Sequence, residues 1–263
     1  MSTRAEHYPA VVQQREQISS HLVRLTLGGD GLADFASTGI PDEWVGLIVP
    51  GQFQSRYYTV RSWDGAQMVL DVVVHETGLV TQWASGDCVG DTVTITEPKG
   101  SFTLPEDARW VYLVGDLTAL PAMARIVETL GPDIPVKVWA EVGEQVPGYF
   151  DEGFVSRGDL SWIPHQAEHG SGLATWVESL PWPEEPGYFW MAGESAQMRA
   201  IRKHLMRELK LPPTTYDVMG YWRGVAKRQP RSVDPGPIYR AGKAAGKTDE
   251  QIWADYDAAR ENE

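Results

Sequence analysis

Residues 110–130 read Trp110-Val-Tyr-Leu-Val-Gly-Asp-Leu-Thr-Ala-Leu-Pro-Ala-Met-Ala-Arg-Ile-Val-Glu-Thr-Leu130. The unbroken apolar run 110–114 suits a strand covered on both faces. Gly115-Asp116 turns the chain, and residues 119–130 carry apolar side chains at helical spacing, with Thr118 placed to cap the helix. A second apolar run at 136–142 follows directly. Strand, helix and strand in that order form a crossover unit, which requires a parallel sheet. The pattern returns at 188–192, a strand leading into a helix over 195–209. Residues 107–230 are therefore expected to form a parallel, doubly wound α/β domain. Ligands of such sheets sit at the carboxyl ends of the strands, which here are Gly115-Asp116 and Gly193-Glu194. The Gly-x-Gly-x-x-Gly fingerprint is missing from the first of these turns. Residues 149–186 are rich in Gly, Pro and Glu and read as loop with one helix at 173–180.

Upstream, short β-branched and apolar runs at 21–27, 45–49, 57–60, 68–74 and 92–96 are punctuated by Gly28-Gly29-Asp30-Gly31, Asp64-Gly65 and Lys99-Gly100. Five or six such strands within residues 1–106 suggest a closed antiparallel barrel or a sandwich, with one short helix at 81–84. Residues 231–263 form a tail in which Thr248-Asp-Glu-Gln251 is a capping box opening a helix that carries Ile252, Trp253 and Tyr256. That helix either docks on the body or covers a pocket.

Composition narrows the function. A formal net charge of −13 argues against nucleic acid or an anionic membrane surface as partner. No window approaches the roughly 18 apolar residues of a membrane span, and the chain reads as cytoplasmic. A single cysteine, Cys88, can form neither an internal disulfide nor an iron–sulfur site, so redox chemistry requires an organic cofactor. His165 and His169 are the only close histidine pair, and their Gly- and Pro-flanked setting makes a metal role weak.

Several segments carry candidate chemistry. On the strand Arg56-Tyr-Tyr-Thr-Val-Arg61, Arg56, Tyr58 and Val60 share a face. The guanidinium suits phosphate, the phenol ring suits a flavin face, and Thr59 can bond the ring edge, although a surface strand of this composition can equally be structural. His75-Glu-Thr-Gly-Leu-Val-Thr81 leads into a helix start, with Thr81 as the capping hydroxyl over a natural pyrophosphate seat. His75 alone is as readily a structural histidine. Glu141 ends the second α/β strand, where an acidic side chain can grip a ribose hydroxyl. Gly220-Tyr221-Trp222-Arg223 follows the last helix, its aromatics able to cover a flavin or close the core.

In order and spacing these segments resemble the siderophore-interacting family of ferric siderophore reductases, from about residue 21 to 224. The resemblance rests on Leu22-Val-Arg-Leu-Thr-Leu-Gly-Gly29, Arg56-x-Tyr58-Thr59-Val60-Arg61, Asp71-Val-Val-Val-His75 with Gly78, Gly115-Asp116-Leu-Thr118-Ala-Leu-Pro121, Ala192-Gly193-Glu194 and Gly220-Tyr-Trp-Arg223. It implies a ferredoxin-reductase-like pair of domains, an FAD-binding barrel and a nicotinamide-binding α/β domain. It also implies that Arg56, Tyr58, Thr59, Val60, Val74, His75, Leu79, Val80 and Thr81 hold FAD, and that Asp116, Thr118, Ala119 and Glu194 line the nicotinamide side. Tyr221, Trp222 and Arg223 would close the cleft, with Thr59, Thr118 and Trp222 nearest the chemistry.

The implied activity passes electrons from NADH or NADPH through FAD to ferric iron held by a siderophore. Glu141 leans the donor toward NADH, while Arg199 and Arg202 could reach a 2′-phosphate and reverse it. Substrate contact is expected from Arg223, Lys227 and Arg228. Gln54-Ser55 adds no positive charge, and with the net charge this favours a hydroxamate over an anionic catecholate siderophore. Two rival readings are a flavin or ferredoxin-type reductase with another acceptor, and a siderophore-binding flavoprotein without turnover. Sequence leaves the oligomeric state open.

Overall fold

The computed structural model describes residues 6–52, 54–75, 78–165, 171–223, 241–248 and 251. Alternation of inward and outward side chains builds its first sheet. β1 (His7–Ser19) turns Tyr8, Ala10 and Val12 inward and His7, Pro9 and Val11 outward. This longest strand is not among those expected from sequence. Beyond Val12 it runs Gln-Gln-Arg-Glu-Gln, without apolar alternation, and pairing with β2 keeps it extended.

β2 (Leu22–Gly28), β3 (Trp44–Ile48), β4 (Arg56–Trp63), β5 (Met68–Val73), α1 (Leu79–Ser85) and β6 (Thr92–Thr96) follow near their expected positions. The six strands close into an antiparallel barrel in the order β1-β2-β5-β4-β3-β6, which leaves no free sheet edge. Leu25, Leu47, Val60, Leu70 and Ile95 fill its interior.

The second sheet is parallel throughout. It comprises β7 (Val111–Asp116), α2 (Leu120–Leu130), β8 (Val136–Val142), α3 (Glu152–Ser156), β9 (Leu160–Pro164), α4 (Leu173–Glu178), β10 (Tyr188–Glu194), α5 (Ser195–Arg207) and β11 (Tyr216–Trp222). Its strand order is β11-β10-β7-β8-β9. Val111 and Leu113 face α2, while Tyr112 and Val114 face α4 and α5, so the continuous apolar run is covered on both sides. β9 and α3 lie inside the segment expected to be mostly loop. Asp151 starts α3 by accepting from the Gly153 and Phe154 N–H groups at 2.8 and 3.2 Å. β9 and β11 are edge strands of mixed polarity, with few fully buried side chains, and periodicity alone does not reveal them.

Polar side chains join barrel to sheet. Arg125 of α2 donates to the Val60 carbonyl at 2.5 Å, and Arg61 of β4 pairs with Glu128 of α2 at 2.6 Å. Arg24 makes a two-pronged bond to buried Asp71 at 2.8 Å, and Tyr149 also donates to Asp71. Buried Asp42 accepts from the Ser101 and Phe102 N–H groups at 2.9 and 3.0 Å and from the Trp190 indole at 3.2 Å.

Met1–Trp222 and Arg223–Glu263 are two compact units. In the second, the Ala245 N–H bonds the Ala241 carbonyl at 3.0 Å, one helical turn. Thr248 and Gln251 exchange the two capping-box bonds at 3.0 and 3.3 Å. Ile252, Trp253 and Tyr256 lie outside the described residues.

Candidate active site

β4 forms one wall of a cleft of about 430 Å³ between the barrel and β11. Trp44, Tyr57, Tyr58 and Thr59 line the barrel side, and Ser101, Arg202, Asp217, Met219 and Tyr221 the other. Tyr58 packs on the barrel core, and burial pushes its phenol up to about 12 against the opposing pull of Arg56. Thr59 is buried and its Oγ1 has no hydrogen-bond partner. Tyr221 Oη likewise makes no well-formed hydrogen bond, and the Thr59 hydroxyl is its close neighbour. Burial drives the Tyr221 phenol far above its ordinary value, and nearby Asp42 adds to the shift. An unpartnered buried hydroxyl costs on the order of 1–3 kcal/mol. Two of them between tyrosine rings fit a planar ligand with polar edges, and so fit the isoalloxazine of FAD.

Arg56 is exposed, its guanidinium meeting only the Ser55 carbonyl at 3.5 Å, and so is free to take a phosphate. Val60, expected beside the cofactor, instead lies in the barrel core. Its N–H bonds the Glu43 carbonyl at 2.8 Å and its carbonyl accepts from Arg125, so it offers a ligand nothing polar.

Val74 is buried at the end of β5, and exposed His75 lies beside Gly78. Thr81 does not cap α1, contrary to expectation. The helix begins two residues earlier on Gly78, whose φ of 124° suits glycine, and Thr81 is buried in the first turn. Leu79 is 59% exposed while Val80 is buried. The N–H groups of Leu79, Val80 and Thr81 precede the first turn bond, Gln82 to Gly78, and lie at the helix end that suits an acceptor.

The sheet order reverses between β7 and β10, so the carboxyl ends of these strands open a crevice. Asp116 sits there, 7% exposed. Its Oδ1 accepts from the Thr118 N–H at 2.9 Å and the Thr118 hydroxyl at 2.5 Å, and its Oδ2 accepts from the Trp222 indole at 2.6 Å. Burial raises the Asp116 pKa, and the bonds from Thr118 and Trp222 oppose the rise. Asp116, rather than Thr118, is thus the cap, and it caps a short 3-10 turn, 117–119, ahead of α2. Ala119 is fully buried under Gly115, where an added Cβ would stand 2.4 Å from the Ala119 Cβ. Gly193 comes equally close, since a Cβ there would lie 2.6 Å from Asp116 Oδ2. Glu194 is half-buried ahead of α5 and makes no side-chain cap bond. Trp222, 39% exposed, is held at both ends, its indole by Asp116 and its carbonyl by the Ser195 hydroxyl at 2.8 Å.

Glu141 departs from its expected role. It is 3% exposed, its Oε1 accepts from the Gly172 N–H at 2.7 Å, and its Oε2 faces inward 3.5 Å from His165 Nδ1. Oε2 has no hydrogen-bond partner, and it is burial that closes the carboxylate to a ribose. Arg202 donates to the Val218 carbonyl and lines the flavin-sized cleft, while Arg199 is exposed on α5. Arg223 is exposed in the second unit, and Lys227 and Arg228 lie outside the described residues, as does His169. No cluster of three metal-ligating side chains occurs among the described residues. Buried Cys88 has its thiol pKa raised by burial.

The structure therefore brings Tyr58, Thr59 and Tyr221 together in one cleft and Asp116, Thr118 and Trp222 in one hydrogen-bonded group. Tyr57, Ser195 and Asp217 were missed by sequence reading. The Tyr57-Tyr58 doublet was a signal for the first, whereas Asp217 and Ser195 gain their setting only from the β10–β11 pairing.

Residues 51–102 match the model of the siderophore-interacting FAD-binding domain, and residues 108–224 match that of the siderophore-interacting protein. The chain belongs to the siderophore-interacting protein family. Its barrel and parallel sheet are the ferredoxin-reductase-like FAD and nicotinamide architecture of that family. A siderophore utilization protein from T. fusca superposes with a TM-score of 0.72 at 26% identity, over 84% of this chain and 94% of the other. Ferric vibriobactin reductase ViuB of Vibrio cholerae is 27% identical over 259 residues, 85% of this chain and 93% of ViuB. The mycobactin import ATP-binding/permease protein IrtA of Mycobacterium tuberculosis is 27% identical over 244 residues. This siderophore-interacting chain spans only 28% of IrtA's length.

Proposed function

We propose that the protein is a ferric siderophore reductase, taking electrons from NADPH or NADH through FAD to siderophore-bound iron. The observation that carries this reading is the pair of neighbouring buried hydroxyls, Thr59 Oγ1 and Tyr221 Oη, that make no well-formed hydrogen bond at an aromatic cleft. Residues 1–106 would hold the flavin and residues 107–230 the nicotinamide. When bound, FAD accepts a hydride and returns its two electrons singly, reducing two ferric ions per donor molecule. Tyr58 would supply an aromatic wall, Thr59 and Tyr221 would offer hydroxyls to the ring, and Arg56 and the first N–H groups of α1 would take phosphate. Trp222, tethered by Asp116 and Ser195, orients the donor at the crevice. Hard oxygen donors hold ferric iron more strongly than ferrous, so reduction loosens the complex and no protein iron site is needed.

Among the described residues the cleft lining carries one arginine, Arg202, and one carboxylate, Asp217. This near-neutral lining, with the net charge of −13, supports a hydroxamate rather than a tris-catecholate siderophore. A cytoplasmic location, where reduced nicotinamide is made, belongs to the same proposal. The test is the spectrum of the purified protein. A flavin profile should bleach on anaerobic addition of NADPH or NADH and recover on adding a ferric siderophore, with ferrous iron trapped by a chelator. Recovery only with free flavin or a protein acceptor would favour a reductase of another kind, and absence of bleaching would favour a binding protein.

A further inference from the structure

A dinucleotide laid across the β7/β10 switch point places its two halves on opposite sides of it. The flavin-sized cleft and Trp222 lie on the β10–β11 side, so the adenosine half falls at the carboxyl ends of β8 and β9. There the Glu141 carboxylate is 3% exposed, one oxygen bonded to the Gly172 N–H at 2.7 Å and the other 3.5 Å from His165 Nδ1. The His165 side chain, which directly follows β9, is 35% exposed. The start of α4 is not free to seat an anion. The Gly172 N–H is taken by Glu141, that of Leu173 by the Ser171 hydroxyl at 3.4 Å, and that of Ala174 by Gln197 at 2.9 Å. Among the described residues of these two strand ends and the turns after them, His165 is the one side chain able to carry a positive charge.

Resting on the reductase reading above, we propose that His165, positioned by buried Glu141, reads the 2′ position of the donor's adenosine ribose and selects a 2′-phosphate, hence NADPH over NADH. A carboxylate that grips a ribose diol must be exposed, and Glu141 is not. His165 Nδ1 stands 3.5 Å from Glu141 Oε2, an ion-pair contact without a hydrogen bond, which leaves the Nε2 edge to meet a ligand, and a bond to phosphate is stronger than one to a neutral hydroxyl.

The test uses the flavin-loaded protein and two probes that cannot reduce it, 2′,5′-ADP and 5′-AMP, with binding followed by calorimetry. Wild type should bind 2′,5′-ADP about tenfold more tightly. His165→Ala should erase the difference and His165→Lys should keep it. In stopped-flow flavin reduction, His165→Ala should lower kcat/KM for NADPH by about tenfold and leave NADH nearly unchanged. Glu141→Gln preserves an acceptor for the Gly172 N–H, and should weaken NADPH alone. Equal binding of the two probes by wild type, or a difference that survives His165→Ala, overturns the inference. If neither nicotinamide reduces the flavin of wild type, it is the reductase reading that fails, and the probe binding still reports on His165.

Discussion

Thr59 holds a hydroxyl that the fold buries without a partner, and this separates its structural from its binding role. Thr59→Val keeps the shape and removes the unmet polar group. The flavin-free protein should become more stable by about 1 kcal/mol, while flavin binding weakens by about tenfold. Thermal unfolding and flavin fluorescence titration measure the two effects, and a gain in both would refute the role assigned to this oxygen. Asp116 presents the same separation in charged form. Its folded pKa is raised above the ordinary carboxylate value, chiefly by burial. The stability linked to its neutral form is therefore complete below about pH 3.9 and is lost as pH rises through the folded pKa. Asp116→Asn removes that loss and should raise stability at neutral pH. An amide nitrogen cannot accept from the Trp222 indole, however, so Trp222 should loosen. Its fluorescence should shift, and flavin reduction by either donor should slow by about tenfold. Motif reading brought Asp116 and Thr118 forward in one turn and Trp222 in a separate segment. Their union across residues 116–222 came from strand pairing.

At the scale of elements, strands with a regular apolar pattern were legible and strands of mixed polarity were not. β7 and β8 announce themselves through continuous apolar runs, because parallel strands covered by helices on both sides need no polar face. β1, β9 and β11 mix polar and apolar side chains and owe their extended form to a neighbour's hydrogen bonds, which a local window does not contain. Local reading also put the caps of α1 and α2 on threonines. Gly78 holds the first position, and Asp116 caps the 3-10 turn ahead of α2, whose own N-cap is Ala119. The junction between β2, β5 and the segment after β8 depends on Asp71, which is fully buried against Arg24 and Tyr149. Asp71→Ala leaves the guanidinium and the phenol without their shared acceptor, and should destabilise the protein by about 3 kcal/mol in urea unfolding. A loss below about 0.5 kcal/mol would mean that solvent replaces the carboxylate.

At the scale of the whole molecule, the net charge of −13 acts over distances longer than any contact. Encounter with an anionic ferric tris-catecholate should be slowed by repulsion, and raising the salt concentration should speed flavin reoxidation by that substrate. A neutral ferric hydroxamate should show little salt dependence. A catecholate rate that falls with salt would reveal a local positive field outweighing the net charge. Sequence alone determined the class of the fold and the order of barrel and sheet, because these follow from local periodicity and turn chemistry, while the flavin and nicotinamide segments were marked by family resemblance. Which side chains face the ligand was decided only by tertiary structure. Val60 and Glu141 look like site residues in the sequence and are turned inward by the barrel core and by the Gly172 N–H, while Tyr57, Ser195 and Asp217 reach the site through pairings distant in sequence. Facing depends on which neighbour satisfies each buried polar group, and that neighbour lies too far along the chain for any local pattern to record.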